Sequence, residues 1–156
     1  VSWISNLFGL DEAPVGTGAI PVPTKPFHER SEEQLNILTQ FVKNSSREVS
    51  ADVYSRLRSM DDLIRPLIKY IASNPVVIEK EIAIESLLTD YIPTPLGIYL
   101  QLPESERTDG SAGDLVLISQ YDTLERSIIE LGKGIYKDSL SALQTHAIFI
   151  DTKFND

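Results

Sequence analysis

The chain has 156 residues, 42% of them apolar and 24% charged, the length and mix of one ordinary globular domain. It has no cysteine, which excludes disulfide frameworks, thiolate nucleophiles, zinc–cysteine sites and iron–sulfur clusters. Fourteen basic against 23 acidic residues leave a net charge of −9, and a nucleic-acid binder needs the opposite, a basic face that displaces counterions.

Residues 1–10, VSWISNLFGL, place Trp3, Ile4, Leu7, Phe8 and Leu10 on one side of a short helix. The stretch is not a secretory signal, because no positive residue precedes it and Ser5 and Asn6 interrupt it. Val1 and not methionine opens the chain, so its natural start lies open. Residues 11–30 hold Pro14, Pro21, Pro23 and Pro26 with Gly16 and Gly18. Proline fixes φ and lacks an amide donor, so this stretch reads as an extended linker. A tethered aromatic segment can lie in a membrane interface, fill a groove on a partner or fold back on its own bundle. The membrane use is weakened because no Lys or Arg precedes Lys25 to face anionic lipid. Trp3, Ile4, Leu7, Phe8 and Leu10 are therefore the candidate contact residues.

The spacing predicts a helical body over residues 31–156. Ser31 with Gln34 forms a capping-box pattern, and Glu32 and Glu33 suit the first turn. Leu35, Leu38, Val42, Val49, Val53, Leu57, Met60, Ile64, Leu67 and Ile71 recur at steps of three, four or seven. Asn44-Ser45-Ser46 is the expected break, and Pro66 an expected kink. Asn74-Pro75 predicts the next start, with Val77, Ile78, Ile82, Leu88 (or Leu87), Tyr91 and Ile92 facing inward. Pro93-Thr94-Pro95 ends that helix and opens a short one carrying Leu96, Tyr99 and Leu100, closed by Pro103. Residues 104–113 read as a loop. Asp114 opens a helix with Leu115, Ile118, Tyr121, Leu124, Ile128, Leu131 and Ile135. Its Gly132 and Gly134 either weaken the last turn or permit close packing. Asp138-Ser139 caps a final helix with Leu140, Leu143, Ala147, Ile150 and Phe154. No segment alternates with period two. The fold expected is all-α: an antiparallel bundle of about four to five long helices with one proline kink and one short helix, behind a tail at 1–30.

The acidity sits in the second half, where residues 104–156 hold five basic against ten acidic groups. It reads as a solvated surface or a docking face for a basic partner. Known chemistry is mostly missing. His28 and His146 are the two histidines, and His146 lacks the Glu three residues before it that a di-iron bundle needs. Glu81 and Glu85 share a helix face, a pair that can do acid–base work or bind a hard cation, though with Glu79 and Lys80 beside them they read first as a solvated face. Asp109 to Asp114 lacks the closing glutamate of an EF-hand. Gly16-Thr-Gly18 and Gly110-Ser-Ala-Gly113 lack the Gly-Lys-[Ser/Thr] of a phosphate loop. Arg56, Arg58, Arg65 and Lys69 make a basic patch that Glu48, Asp52, Asp61 and Asp62 offset. Tyr91, Tyr99 and Tyr121 could line a small-ligand pocket. No cofactor and no metal are implied.

Three phrases carry a family resemblance: RLRSMDDLIRPL at 56–67, LTDYIPTPLGIYLQLP at 88–103, and QYDTL at 120–124 followed by YKDSL at 136–140 and FIDTKF at 149–154. Together they resemble the bacterial XpaC family of 5-bromo-4-chloroindolyl phosphate hydrolysis proteins and its actinobacterial relatives, over roughly residues 45–156. The resemblance implies an all-helical protein found near toxic-anion-resistance proteins and membranes. It implies no catalytic residue.

The expected function is a non-enzymatic interaction or adaptor module with a protein partner, peripheral to the cytoplasmic face of a membrane and not bound to nucleic acid. The alternatives are a phosphoester hydrolase or its accessory, with Glu81 and Glu85 as carboxylates, and a small-ligand-binding bundle. Zero cysteine and no export signal suit a reducing cytoplasm.

Overall fold

The computed structural model describes residues 25–155. The candidate contact residues Trp3, Ile4, Leu7, Phe8 and Leu10, and the linker up to Thr24, lie outside them. Among the described residues the chain is helical and no strand forms. The helices are α1 (Phe27–Asn44), α2 (Ala51–Ser73), α3 (Ile78–Ser86), α4 (Pro93–Leu100) and α5 (Ala112–Phe154). A π-turn, Leu87–Tyr91, joins α3 to α4, and a 3₁₀ turn, Glu104–Glu106, precedes α5.

Side-chain pairings give the directions. Asn36 with Arg65 and Thr39 with Asp61 set α1 antiparallel to α2. Lys80 beside Gly134, Ile92 with Tyr121 and Tyr99 with Asp114 set α3 and α4 antiparallel to α5. Ser50 with Asp114, Arg56 with Asp122, Ser59 with Glu125 and Tyr70 with Tyr136 run α2 and α5 the same way. The bundle is thus two antiparallel hairpins side by side, with α2 against α5. Its core is Leu35, Leu38, Val42, Val53, Leu57, Met60, Ile64, Leu67, Ile68 and Ile71 from the first hairpin. The second adds Ile84, Leu87, Leu88, Ile92, Leu96, Tyr99, Leu117, Tyr121, Ile128 and Ile135.

Several local starts differ from the sequence reading. Helix α1 begins at Phe27 behind Pro26, so Ser31 is not a cap. Ser31 is buried within the helix, and its hydroxyl has no partner among the described residues. Asn74 closes α2 rather than opening α3: its backbone and side-chain N–H groups both donate to the Tyr70 carbonyl. Pro66 lies inside α2, as expected, without ending it. The π-turn adds a residue to its helical turn and shifts the inward face. Val77, Ile78 and Ile82, which precede it, are exposed, as is Tyr91 within it, while Ile84, Leu87, Leu88 and Ile92 are buried. Nor is there a break near residue 138. Helix α5 is continuous for 43 residues, so the two final helices of the sequence reading are one.

The two glycines of α5 differ. A Cβ on Gly132 would come within 3.3 Å of Leu67 Cδ2, so this glycine serves the contact with α2. One on Gly134 would meet only the flexible end of Lys80.

Outside the core, Asp61 gathers α1 to α2. Arg65 donates to both its oxygens, at 3.0 and 3.1 Å, and the Thr39 hydroxyl adds a third contact. Burial alone would raise the Asp61 carboxyl, but the hydrogen bonds from Arg65 and Thr39 and the Arg65 charge hold it below the ordinary carboxylate value. A depressed folded-state pKa gives stability that is present above the unfolded value and lost as pH falls through the folded one. Asp61→Asn is therefore expected to lower the melting temperature at pH 7. The gap to the parent protein should close as pH drops below about 4. A gap constant from pH 7 to pH 2 in thermal scans would show that Asp61 charge contributes nothing.

Candidate interaction surface

The bundle ends differ in chemistry. At the end holding the N-termini of α2 and α5, polar groups are locked together. Ser50 caps α2, its Oγ accepting from the Val53 N–H at 3.1 Å and donating to Asp114. Asp114 sits in the first turn of α5 with no solvent exposure. Its second carboxylate oxygen accepts from the Gly110 N–H at 3.3 Å. The Tyr99 hydroxyl donates to the Arg107 carbonyl at 2.9 Å and accepts from the Ser50 N–H at 3.3 Å. Burial raises the Tyr99 phenol above its ordinary value. Arg107 in turn donates to the Leu102 and Glu48 carbonyls. Gly110 is the residue with positive φ, +77°, a conformation only glycine adopts without strain.

Asp52, Asp109 and Asp114 are, among the described residues, the acidic group whose carboxylate oxygens lie within 4.8 Å of one another. Both oxygens of Asp114 are already taken up by Ser50 and Gly110. Three oxygens are also fewer than the six to eight that a calcium ion takes. Within the cluster it is Asp114 that fastens chain segments, through Ser50, Tyr99 and Gly110.

At the other end, α5 leaves the bundle. Its last buried residue is Ile135, and residues 136–155 are all exposed. Tyr70 holds the exit point, edge-on to Tyr136 with ring centroids 4.7 Å apart and bonded to Ser139. Beyond it, Leu140, Leu143, Ala147, Ile150 and Phe154 lie in the open. Sequence spacing marks these five as a buried stripe. The helix and its apolar face are present, but the described chain supplies nothing to cover them. Leu143 is 66% exposed and Phe154 73%. The off-stripe Phe149 is partly screened by its own helix, with the His146 ring stacked 6.0 Å away and the Lys153 ammonium 5.7 Å from its centroid. Scattered exposed apolar residues are ordinary, whereas a contiguous face of this length marks a binding surface.

The other candidates disperse. Glu81 and Glu85 are half-buried, and Glu85 approaches Arg30 at 3.9 Å. No third acid joins them among the described residues. His28 lies in the first turn of α1, half-buried. Arg56 pairs with Asp122 and Arg65 with Asp61, so half of the basic patch is held in ion pairs. Tyr91, Tyr99 and Tyr121 line no common pocket: Tyr91 is exposed, Tyr99 belongs to the polar lock, and Tyr121 is sealed in the core with its hydroxyl on the Ile92 carbonyl at 2.8 Å. No helix among the described residues is long and apolar enough to cross a membrane.

No family model matches this chain. No curated protein and no solved structure matches it either.

Proposed function

We propose that this chain is a helical interaction module whose contact surface is the projecting half of α5. One observation carries the reading: after Ile135 no described residue is buried, yet Leu140, Leu143, Ile150 and Phe154 stay on one face. A helix that is apolar along an unpaired face gains most from packing that face, since burying each large aliphatic side chain stabilises by roughly 1.5–3 kcal/mol. The aromatic segment from Trp3 to Leu10 is a second contact element in this proposal. A place at the cytoplasmic face of a membrane belongs to the same reading. The three phrases that resemble the XpaC family fall on α2, on the π-turn with α4, and on α5, which are structural elements.

The test compares the full chain with Leu143→Asp/Ile150→Asp, both positions being free of bundle contacts. The double variant should keep the bundle's thermal unfolding and lose the associations that α5 makes, self-association first, leaving at most contacts that a chain lacking residues 1–10 also loses. An association that survives both changes places the surface elsewhere.

A further inference from the structure

We propose that the projecting half of α5 pairs antiparallel with the same segment of a second copy, Leu140 of one packing on Ile150 of the other. The inference rests on the reading of α5 as the contact surface and names its occupant.

The first argument is period. Tyr136, Leu140, Leu143, Ala147, Ile150 and Phe154 are spaced four, three, four, three, four, the a/d repeat of a two-stranded coiled coil. Inside the bundle, Leu117, Tyr121, Leu124, Ile128, Leu131 and Ile135 keep the same spacing. The step from Ile135 to Tyr136 is a single residue, about 100° of helix rotation. The outer stripe is therefore no continuation of the inner seam. It starts on Tyr70 of α2 through Tyr136, and from Leu140 onward no helix of the described chain lies beside it, so it needs a partner of its own.

The second argument is self-complementarity. About a two-fold axis at Thr145, Tyr136 meets Phe154, Leu140 meets Ile150, and Leu143 meets Ala147, each pair occurring twice. Large residues face smaller ones at the centre and aromatics close both ends. The positions beside the stripe on one side are Lys137, Gln144 and Asp151. In this register Lys137 faces Asp151 of the other copy, twice, and Gln144 faces itself. On the other side Ser139 faces Lys153 and His146 faces itself. No like formal charges meet at pH 7. A parallel pair would bring the two bundles together at the exit point. The antiparallel pair sends them to opposite ends.

The third argument is size. Residues 136–154 span about 28 Å. Pairing two such segments buries on the order of 1,000 Å², the lower bound of a specific interface. Each helix is already nucleated by the bundle, which removes the cost that makes short isolated helices marginal. Folding back of residues 1–10 is the competing occupant. In helical form they would reach about 15 Å, half of the stripe.

Sedimentation of the full chain tests the pairing. A monomer–dimer equilibrium is expected, with the dissociation constant raised about 100-fold or more by Leu143→Asp/Ile150→Asp. Cross-linking fixes the direction, because the chain has no cysteine of its own. With a thiol reagent of about 10 Å reach, Gln144→Cys should link to itself. Lys137→Cys should link only when mixed with Asp151→Cys, since its own copies stand about 24 Å apart along the axis. Self-linking of Lys137→Cys would overturn the antiparallel arrangement. A strictly monomeric chain at about 100 μM would overturn the dimer. In that monomer, Trp3, the sole tryptophan, reports the competing occupant: a red shift of its emission in the double variant would place residues 1–10 on the stripe. The broader proposal would then stand while the dimer fell. A dimer that survives the double variant would overturn both.

Discussion

Asp114→Ala is expected to destabilise the bundle by about 3 kcal/mol, read as a lower denaturant midpoint with an unchanged slope. Asp114 has no solvent exposure, and its carboxylate receives the Ser50 hydroxyl and the Gly110 N–H. Truncation leaves the buried Ser50 hydroxyl without its acceptor, at about 1–3 kcal/mol for a buried unsatisfied group, while the N–H of the exposed Gly110 can turn to water. It also removes a negative charge from the first turn of α5, where the helix dipole favours one. Asp114→Asn keeps the shape and one acceptor oxygen, so a loss near half as large is expected. If alanine costs under about 0.5 kcal/mol, the network at this end is not holding the chain segments together.

Tyr121→Ala is expected to cost about 4 kcal/mol, in the range for deleting a buried aromatic ring. Tyr121→Phe isolates the hydroxyl. That hydroxyl donates to the Ile92 carbonyl at 2.8 Å, where the π-turn hands over to α4. Phenylalanine should therefore cost about 1–2 kcal/mol, leaving that buried carbonyl short of a donor. Burial also drives the Tyr121 phenol well above its ordinary pKa. In an alkaline titration followed at 295 nm, Tyr121 should not ionise until the protein unfolds. Ionisation of Tyr121 in the folded protein would show that the ring is not sealed.

The first hairpin was legible because its periodicity meets no interruption. Val53, Leu57, Met60, Ile64, Leu67 and Ile71 repeat at three and four, and all six are buried. The break at Asn44 and the short α4 behind Pro93 follow from residues whose local chemistry is strong. The second hairpin was less legible. Val77, Ile78 and Ile82 are apolar yet exposed, so spacing alone picks the wrong face of α3, and no motif announces the π-turn at Leu87–Tyr91. Leu115 was expected inside and is 58% exposed, while Leu117 takes its place. The polar lock was hidden too, since it joins Ser50, Tyr99, Arg107 and Asp114 from distant parts of the chain. Its one visible trace was Gly110 before Asp114, in the segment that failed as an EF-hand. The stripe from Leu140 to Phe154 shows the limit of periodicity: spacing declares that a face is apolar and leaves open what it meets.

The unbroken course of α5 has a kinetic consequence. Amides from Leu117 to Ile135 sit where the helix is packed, so their hydrogen exchange should require global unfolding. Beyond Tyr136 the same helix is held by its own backbone ladder, and its amides should exchange through fraying, orders of magnitude faster. One element then has two lifetimes, with the boundary at the Tyr70–Tyr136 contact. Whatever covers Leu143 would move that boundary outward, so protection of residues 140–150 reads occupancy of the stripe directly.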